Sequence, residues 1–277
     1  MCGLQNEQRL RYMLIQGDCR KALPYIKSET VQTVITSPPY FGMVHYSNTQ
    51  IEGEIGVRGT IEQYMKDLQA VFEQCYRILK PTGLLILNID SSKREQGFSD
   101  FSAWDTIPTL RNMGFKLVGT VIWINRPNRP TYHAHLLDHV YEPIFILAKT
   151  SNYTFNKFDA PEGDVWTIKG SYFSDIKKED KEPTDLWDAS GFATFPVELI
   201  TYLIALGSNE GDTVLDPFAG SGTVMDVCQR LKRNSIAIEI NSIFCQKIME
   251  RCFNRSDAEY RYHTQGELER QAGEIHG

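Results

Sequence analysis

Thr36-Ser-Pro-Pro-Tyr-Phe-Gly42 follows a β-type run at Thr33–Thr36. Its two prolines fix φ and remove two backbone donors, so the loop is stiff and presents carbonyls. Ser37 adds a hydroxyl acceptor, and Tyr40 and Phe41 add flat apolar faces. Rigid acceptors beside an aromatic face suit an amino group on a planar ring. Such an amine is a poor nucleophile, because its lone pair is delocalised into the ring. Accepting its two N–H protons at Ser37 Oγ and the Pro38 carbonyl favours the pyramidal nitrogen of the transition state. Pro39 stiffens the loop, and Tyr40 can stack on the ring. Tyr40→Phe keeps that face and should retain much of the activity. This chemistry needs neither a side-chain nucleophile nor a metal. The bland alternative is an ordinary rigid turn.

A second loop runs Val214-Leu-Asp-Pro-Phe-Ala-Gly-Ser-Gly-Thr223, between a strand and a helix. Gly220 and Gly222 let the backbone turn tightly and approach a ligand. Glu239 ends the next strand, 23 positions after Asp216. That is near the distance at which an acid accepts hydrogen bonds from ribose hydroxyls. Met225 stands where a dinucleotide fingerprint needs its third glycine, and no Walker lysine follows. NAD and ATP therefore fit poorly. A purely structural strand-to-helix turn is the alternative.

Together the loops resemble the amino-methyltransferases of DNA. TSPPYFG at 36–42 looks like that family's catalytic motif, and LDPFAGSGT at 215–223 like its AdoMet motif. Their order is similar to the circularly permuted beta group. Ile15-Gln-Gly-Asp-Cys19 resembles the acidic element at the cofactor adenine. Phe195-Pro-Val-Glu-Leu199 resembles the segment flanking the methionine moiety, and His139-Val-Tyr-Glu-Pro143 the strand bordering the target-base pocket. The resemblance implies S-adenosyl-L-methionine (AdoMet) as cofactor, held by Asp18, Cys19, Phe195, Asp216, Pro217, Phe218, Gly220, Gly222, Thr223 and Glu239. It implies catalysis by Ser37, Pro38, Pro39 and Tyr40 on a base flipped out of double-stranded DNA. A cognate restriction endonuclease acting separately is a further implied partner. A serine before Pro-Pro-Tyr leans towards cytosine N4, and an aspartate towards adenine N6. N6-adenine DNA methylation is the runner-up reading, and methylation of RNA or a protein amide, and a binding module with a dead pocket, also stay open. Cytosine C5 chemistry needs a thiolate from a Pro-Cys pair, and none of the 12 prolines precedes a cysteine.

Positioning these loops requires strands that end beside one another. Apolar runs at Thr33–Thr36, Leu84–Ile89, Phe115–Ile124, His139–Ala148, Thr213–Leu215 and Ser235–Ile240 read as strands. Helical spacing marks Ile61–Leu79, with Thr60 as N-cap, and also Phe195–Leu206, Val224–Leu231 and Ser242–Cys252. Alternating β and α elements imply an α/β fold: a doubly wound, mostly parallel, Rossmann-like sheet of the AdoMet-dependent methyltransferase type. Residues 1–149 form its catalytic half, 150–186 a small target-recognition insertion, and 187–254 the AdoMet-binding half. The polar tail, 255–277, is expected to fray.

The formal net charge of −6 argues against a non-specific DNA coat. Basic residues must then gather near the site, and Arg126, Arg129, His133 and Lys149 are the candidates. No Cys-x-x-Cys pair occurs among the six cysteines, which speaks for reduced thiols and no metal. No apolar run reaches membrane-span length and no signal-peptide pattern opens the chain, so a cytoplasmic protein is expected, with both a monomer and a homodimer left open.

Overall fold

In a computed structural model of the 277-residue chain, the described residues are 9–41, 51–57, 59–91, 102–124, 140–168, 171–172 and 193–276. Their strands are β1 (Leu10–Gln16), β2 (Val31–Thr36), β3 (Leu79–Asn88), β4 (Lys116–Ile124), β5 (Tyr141–Ala148), β6 (Val165–Thr167), β7 (Ser171–Tyr172), β8 (Ala193–Thr194), β9 (Thr213–Asp216), β10 (Asn234–Glu239) and β11 (Ala258–Thr264). The helices are α1 (Cys19–Ala22), α2 (Ile61–Ile78), α3 (Ser102–Asn112), α4 (Val197–Gly207), α5 (Thr223–Arg230), α6 (Ser242–Cys252) and α7 (Gln265–His276).

Nine strands form one sheet in the order β11-β1-β10-β9-β2-β3-β5-β4-β6. Only β5 runs against its neighbours; every other pairing is parallel. Continuous apolar runs such as Leu84-Leu-Ile-Leu87 arise because both faces are covered. Leu84 and Ile86 join one core, with Ile35, Leu14 and residues of α4, α5 and α6. Leu85 and Leu87 join the other, with Val34, Ile15 and residues of α1, α2 and α3. The period of two along each strand thus feeds two cores.

Helix α2 shows how local signals produce one such face. Thr60 caps it by accepting from Gln63 N at 3.3 Å. Tyr64, Leu68, Val71, Phe72, Cys75 and Ile78 recur at helical spacing and are all buried. On the other face, α4 ends against β2, where Thr33 Oγ1 donates to Gly207 O at 2.6 Å.

The chain crosses from β1 to β2 past β10 and β9. From β2 it builds outward through β3, and from β9 outward the other way through β10. The direction of winding therefore reverses between β9 and β2. In doubly wound sheets the crevice beyond the strand ends at such a point is where ligands sit. The loops that leave β9 and β2 are the glycine loop and the Ser-Pro-Pro-Tyr loop.

The end of the chain differs from the frayed tail expected. β11 pairs in parallel with all of β1, and α7 packs against it. Tyr260 stacks on buried Tyr12 at 5.5 Å between centroids, and its hydroxyl accepts from Gln229 Nε2 and Arg255 N. Surface-facing positions of an edge strand are polar, so composition hid a strand whose inward positions close one core. Tyr260→Ala should destabilise the fold by about 2 kcal/mol, less than a fully buried aromatic costs. Urea unfolding measures it, and an unchanged midpoint would show that β11 contributes nothing. Residues 150–168 are tied to the sheet at a few points: β6 pairs with β4, Trp166 and Ile168 are buried, and Asn156 Nδ2 donates to Ala205 O and Ser208 O. Most of the remaining span to 186 lies outside the described residues.

Candidate active site

Thr36 closes β2 and Asp216 closes β9, side by side at the switch point. The Thr36 hydroxyl donates to Asp216 Oδ1 at 2.8 Å, and Phe218 N donates to the same oxygen at 3.0 Å. One carboxylate oxygen thereby ties both loops together. Asp216 is buried, and desolvation raises its pKa to about 7 in spite of these two bonds.

The glycine loop is shaped by sterics. Gly222 has φ 81°, and a Cβ there would meet Ile248 Cγ1 at 2.8 Å, so no other residue fits. Gly220 has φ 51° with nothing within 4 Å of its Cβ position, and it faces an open cavity. Its N–H donates to Glu239 Oε2 at 2.7 Å, while Asn241 N donates to Oε1 at 2.8 Å. Burial is again the larger effect, and it lifts Glu239 to about 7.

Asp18 follows β1 and caps α1, accepting from Arg20 N at 2.9 Å. The Arg20 guanidinium holds both its carboxylate oxygens and reaches Asp67 and Gly53 O as well. Asp18 N donates to Gln265 Oε1 at 3.2 Å, so α7 braces this loop. Cys19 is buried, which pushes its thiol pKa well up and leaves it an inert lining group.

At the other end, Tyr40 Oη accepts from Ser37 Oγ at 3.3 Å and lies 3.0 Å from both Asn88 Oδ1 and Glu142 Oε2. Its single proton serves one of those two acceptors at a time. Burial, then the Glu142 carboxylate, hold the phenol well above its ordinary value, so it stays a neutral hydroxyl. From α2, the Tyr64 hydroxyl donates to Pro39 O at 3.0 Å and fixes the loop from behind.

All of these elements open onto one cavity of about 270 Å³. Asp18, Cys19, Phe195, Asp216, Pro217, Phe218, Gly220, Thr223 and Glu239 line it, and so do Ser37, Pro39 and Tyr40. Pro38 is buried beside them, and Gly222 shapes the loop from behind. Asn88, Trp123 and Glu142 also line the cavity. Of these three only Glu142 lies in a stretch that the family resemblance marks, His139–Pro143 at the target-base pocket. Asn88 had a signal, since a polar residue closes the apolar strand Leu84-Leu-Ile-Leu-Asn88. Trp123 is buried, and its indole N–H donates to Ile168 O at 2.8 Å.

The basic candidates divide. Arg126, Arg129 and His133 lie outside the described residues. Lys149 follows the far end of antiparallel β5, at the edge of the sheet opposite the cavity. Its ammonium donates to Leu79 O at 2.8 Å, pairs with Glu29 at 3.4 Å, and lies over the Tyr76 ring. The expectation that Lys149 contacts DNA beside the cavity is therefore corrected, because strand direction carries it away.

A doubly wound sheet with an acidic, glycine-lined crevice at its switch point is built for a nucleoside-bearing cofactor, the class of fold to which AdoMet-dependent methyltransferases belong. Within that class the chain belongs to the DNA methylase family of N6 and N4 methyltransferases, whose model matches residues 31–250. It is 31% identical over 278 residues to the type II methyltransferase M.SmaI of Serratia marcescens, covering 87% of this chain and 91% of the relative. Its fold is similar to that of TTHA0409 from Thermus thermophilus complexed with S-adenosyl-L-methionine. There the TM-score is 0.67 and identity 23%, covering 91% of this chain and 98% of the other. It also resembles the PvuII DNA methyltransferase (cytosine-N4-specific), with TM-score 0.70 and 16% identity over 97% of this chain and 95% of that one. The protein is a DNA amino-methyltransferase of the restriction-modification type, and AdoMet is its cofactor. Among the described residues no helix is long and apolar enough to cross a membrane.

Proposed function

We propose that this chain methylates N4 of a cytosine flipped out of duplex DNA at a specific sequence. The observation that carries the reading is Ser37, whose hydroxyl, rather than a carboxylate, stands at the cavity wall beside Tyr40. In the family resembled, serine here goes with cytosine and aspartate with adenine N6. The likeness to the cytosine-N4-specific PvuII enzyme points the same way.

The cavity suits AdoMet. The open space over Gly220 admits a ligand against the backbone, and Glu239 keeps lone pairs for ribose hydroxyls after its two backbone bonds. Gly220, Phe218, Glu239 and the Asp18 loop would hold the nucleoside, and Phe195 and Thr223 the amino-acid end. When bound, AdoMet supplies an electrophilic methyl group. The protein's own residues do the rest. Ser37 Oγ and the Pro38 carbonyl accept from the amine, favouring its pyramidal form, and the Tyr40 face holds the base in line.

Mass analysis of nucleosides from methyl-free genomic DNA treated with protein and AdoMet identifies the product. N4-methylcytosine is expected; N6-methyladenine would replace this reading by the adenine alternative. An amine inside a duplex cannot reach a walled pocket, so 2-aminopurine beside the target should brighten on binding. Methylation with unchanged fluorescence would rule out flipping.

A further inference from the structure

A methylated amine nitrogen carries one proton too many, and the fold offers it a route. We propose that Ser37, Tyr40 and Glu142 form a proton path from the amine to the Glu142 carboxylate. The inference rests on the reading of Ser37 as the amine's acceptor and adds the proton's destination.

The path is continuous. Ser37 Oγ donates to Tyr40 Oη at 3.3 Å, and Tyr40 Oη reaches Glu142 Oε2 at 3.0 Å. As the amine proton moves to Ser37 Oγ, its N–H bonding pair returns to nitrogen. The Ser37 proton passes to Tyr40 Oη, and the Tyr40 proton to Glu142 Oε2. The products are a neutral secondary amine, an unchanged serine and tyrosine, and a Glu142 carboxylic acid. Glu142 lines the cavity and is half-buried, so it can return this proton to solvent between turnovers.

The other contacts of Tyr40 favour this direction. Asn88 is an amide and cannot take a proton; its Nδ2 donates to Pro143 O at 3.3 Å, which aims Oδ1 at Tyr40. Tyr40 itself is held as a neutral phenol and can pass a proton without keeping one. The second carboxylate acting on Tyr40 is Asp90, from the loop after β3. Across the sheet, Glu142 pairs with Trp123, which does not titrate. Asp90 is thus the rival acceptor. Tyr40→Phe, harmless if the ring only stacks, becomes a break in the path.

The test is the pH dependence of single-turnover methylation, with protein in excess over methyl-free genomic DNA and labelled AdoMet kept saturating at every pH, so that the weaker cofactor binding below about 7 does not enter the rate. The wild-type rate should fall on the acid side as Glu142 takes up a proton from solvent. E142Q and Y40F should each slow the step, by about a hundredfold if the path contributes as general-base groups commonly do. Both should flatten the acid limb, and E142D should restore it in part. The double variant should be no slower than either single, since each breaks the same path. AdoMet affinity by calorimetry should match the wild type in both, which also verifies folding. A protonated-carboxyl band should appear in the infrared difference spectrum as product forms and be missing in E142Q. Should E142Q fail to fold, Y40F alone decides. An acid limb that survives in E142Q and vanishes in D90N would overturn the assignment, as would effects of E142Q and Y40F that multiply. If S37A is slow while E142Q is not, only the path fails; if S37A is also normal, the reading of the loop fails with it.

Discussion

Ser37→Ala should lower the single-turnover methylation rate about a hundredfold, the usual loss when one donor or acceptor aimed at developing charge is removed. The effect should fall on kcat rather than on KM. Hydrogen bonds from the amine strengthen only as nitrogen gains positive charge, so their loss is felt mainly in the transition state. AdoMet affinity should hardly change, because Ser37 belongs to the loop after β2 whereas Gly220 and Glu239 belong to the glycine loop and the end of β10. The loop should keep its shape in the variant. Thr36 still binds Asp216, Tyr64 still holds Pro39 O, and Tyr40 still reaches Asn88 and Glu142. A wild-type rate in Ser37→Ala would mean that the amine is activated elsewhere.

Much of this arrangement was legible in the order of residues alone. Elements with a strong period, such as α2 and α6, and the apolar strands β3, β9 and β10 follow from burial on one or two faces. The two loops were readable because glycine at Gly222 and prolines at 38 and 39 impose backbone geometry locally. What sequence hid depends on partners far along the chain. β11 is polar at its outward positions, and only its pairing with β1 makes it structural. α3 carries Pro108 within it, which obscures a helix by local rules. Lys149 illustrates the same limit: proximity in sequence to β5 says nothing about which end of the sheet it reaches until that strand's direction is known. In the sequence Glu142 is one residue of the stretch His139–Pro143, with nothing local to set it apart. Its meeting with Tyr40, 102 positions away, is a product of β5 running antiparallel and so starting where β2 and β3 end.

The cofactor end makes the other large prediction. Glu239→Ala should weaken AdoMet by about 1 to 3 kcal/mol, the range for hydrogen bonds to a charged group. Part of that loss comes from ribose hydroxyls and part from Gly220 N, which loses its brace. The pH dependence separates the two. Burial places the Glu239 carboxyl near 7, so a large share is protonated just below neutrality in the free protein. Hydroxyls that donate to Glu239 favour its carboxylate form, so binding AdoMet lowers that pKa and releases a proton. By linkage, affinity is full above about 7 and falls as pH drops through it, by up to tenfold per pH unit. Asp216 also titrates near 7, but its two bonds run to Thr36 and Phe218 within the protein. Glu239→Gln should therefore bind more weakly at pH 8 and lose most of the dependence between pH 6 and 8, with any remainder coming from Asp216 or from the ligand. Calorimetry in buffers of different ionisation enthalpy reads the released proton directly. If wild type and Glu239→Gln show the same affinity and the same proton release across this range, Glu239 braces the glycine loop and does not touch the cofactor.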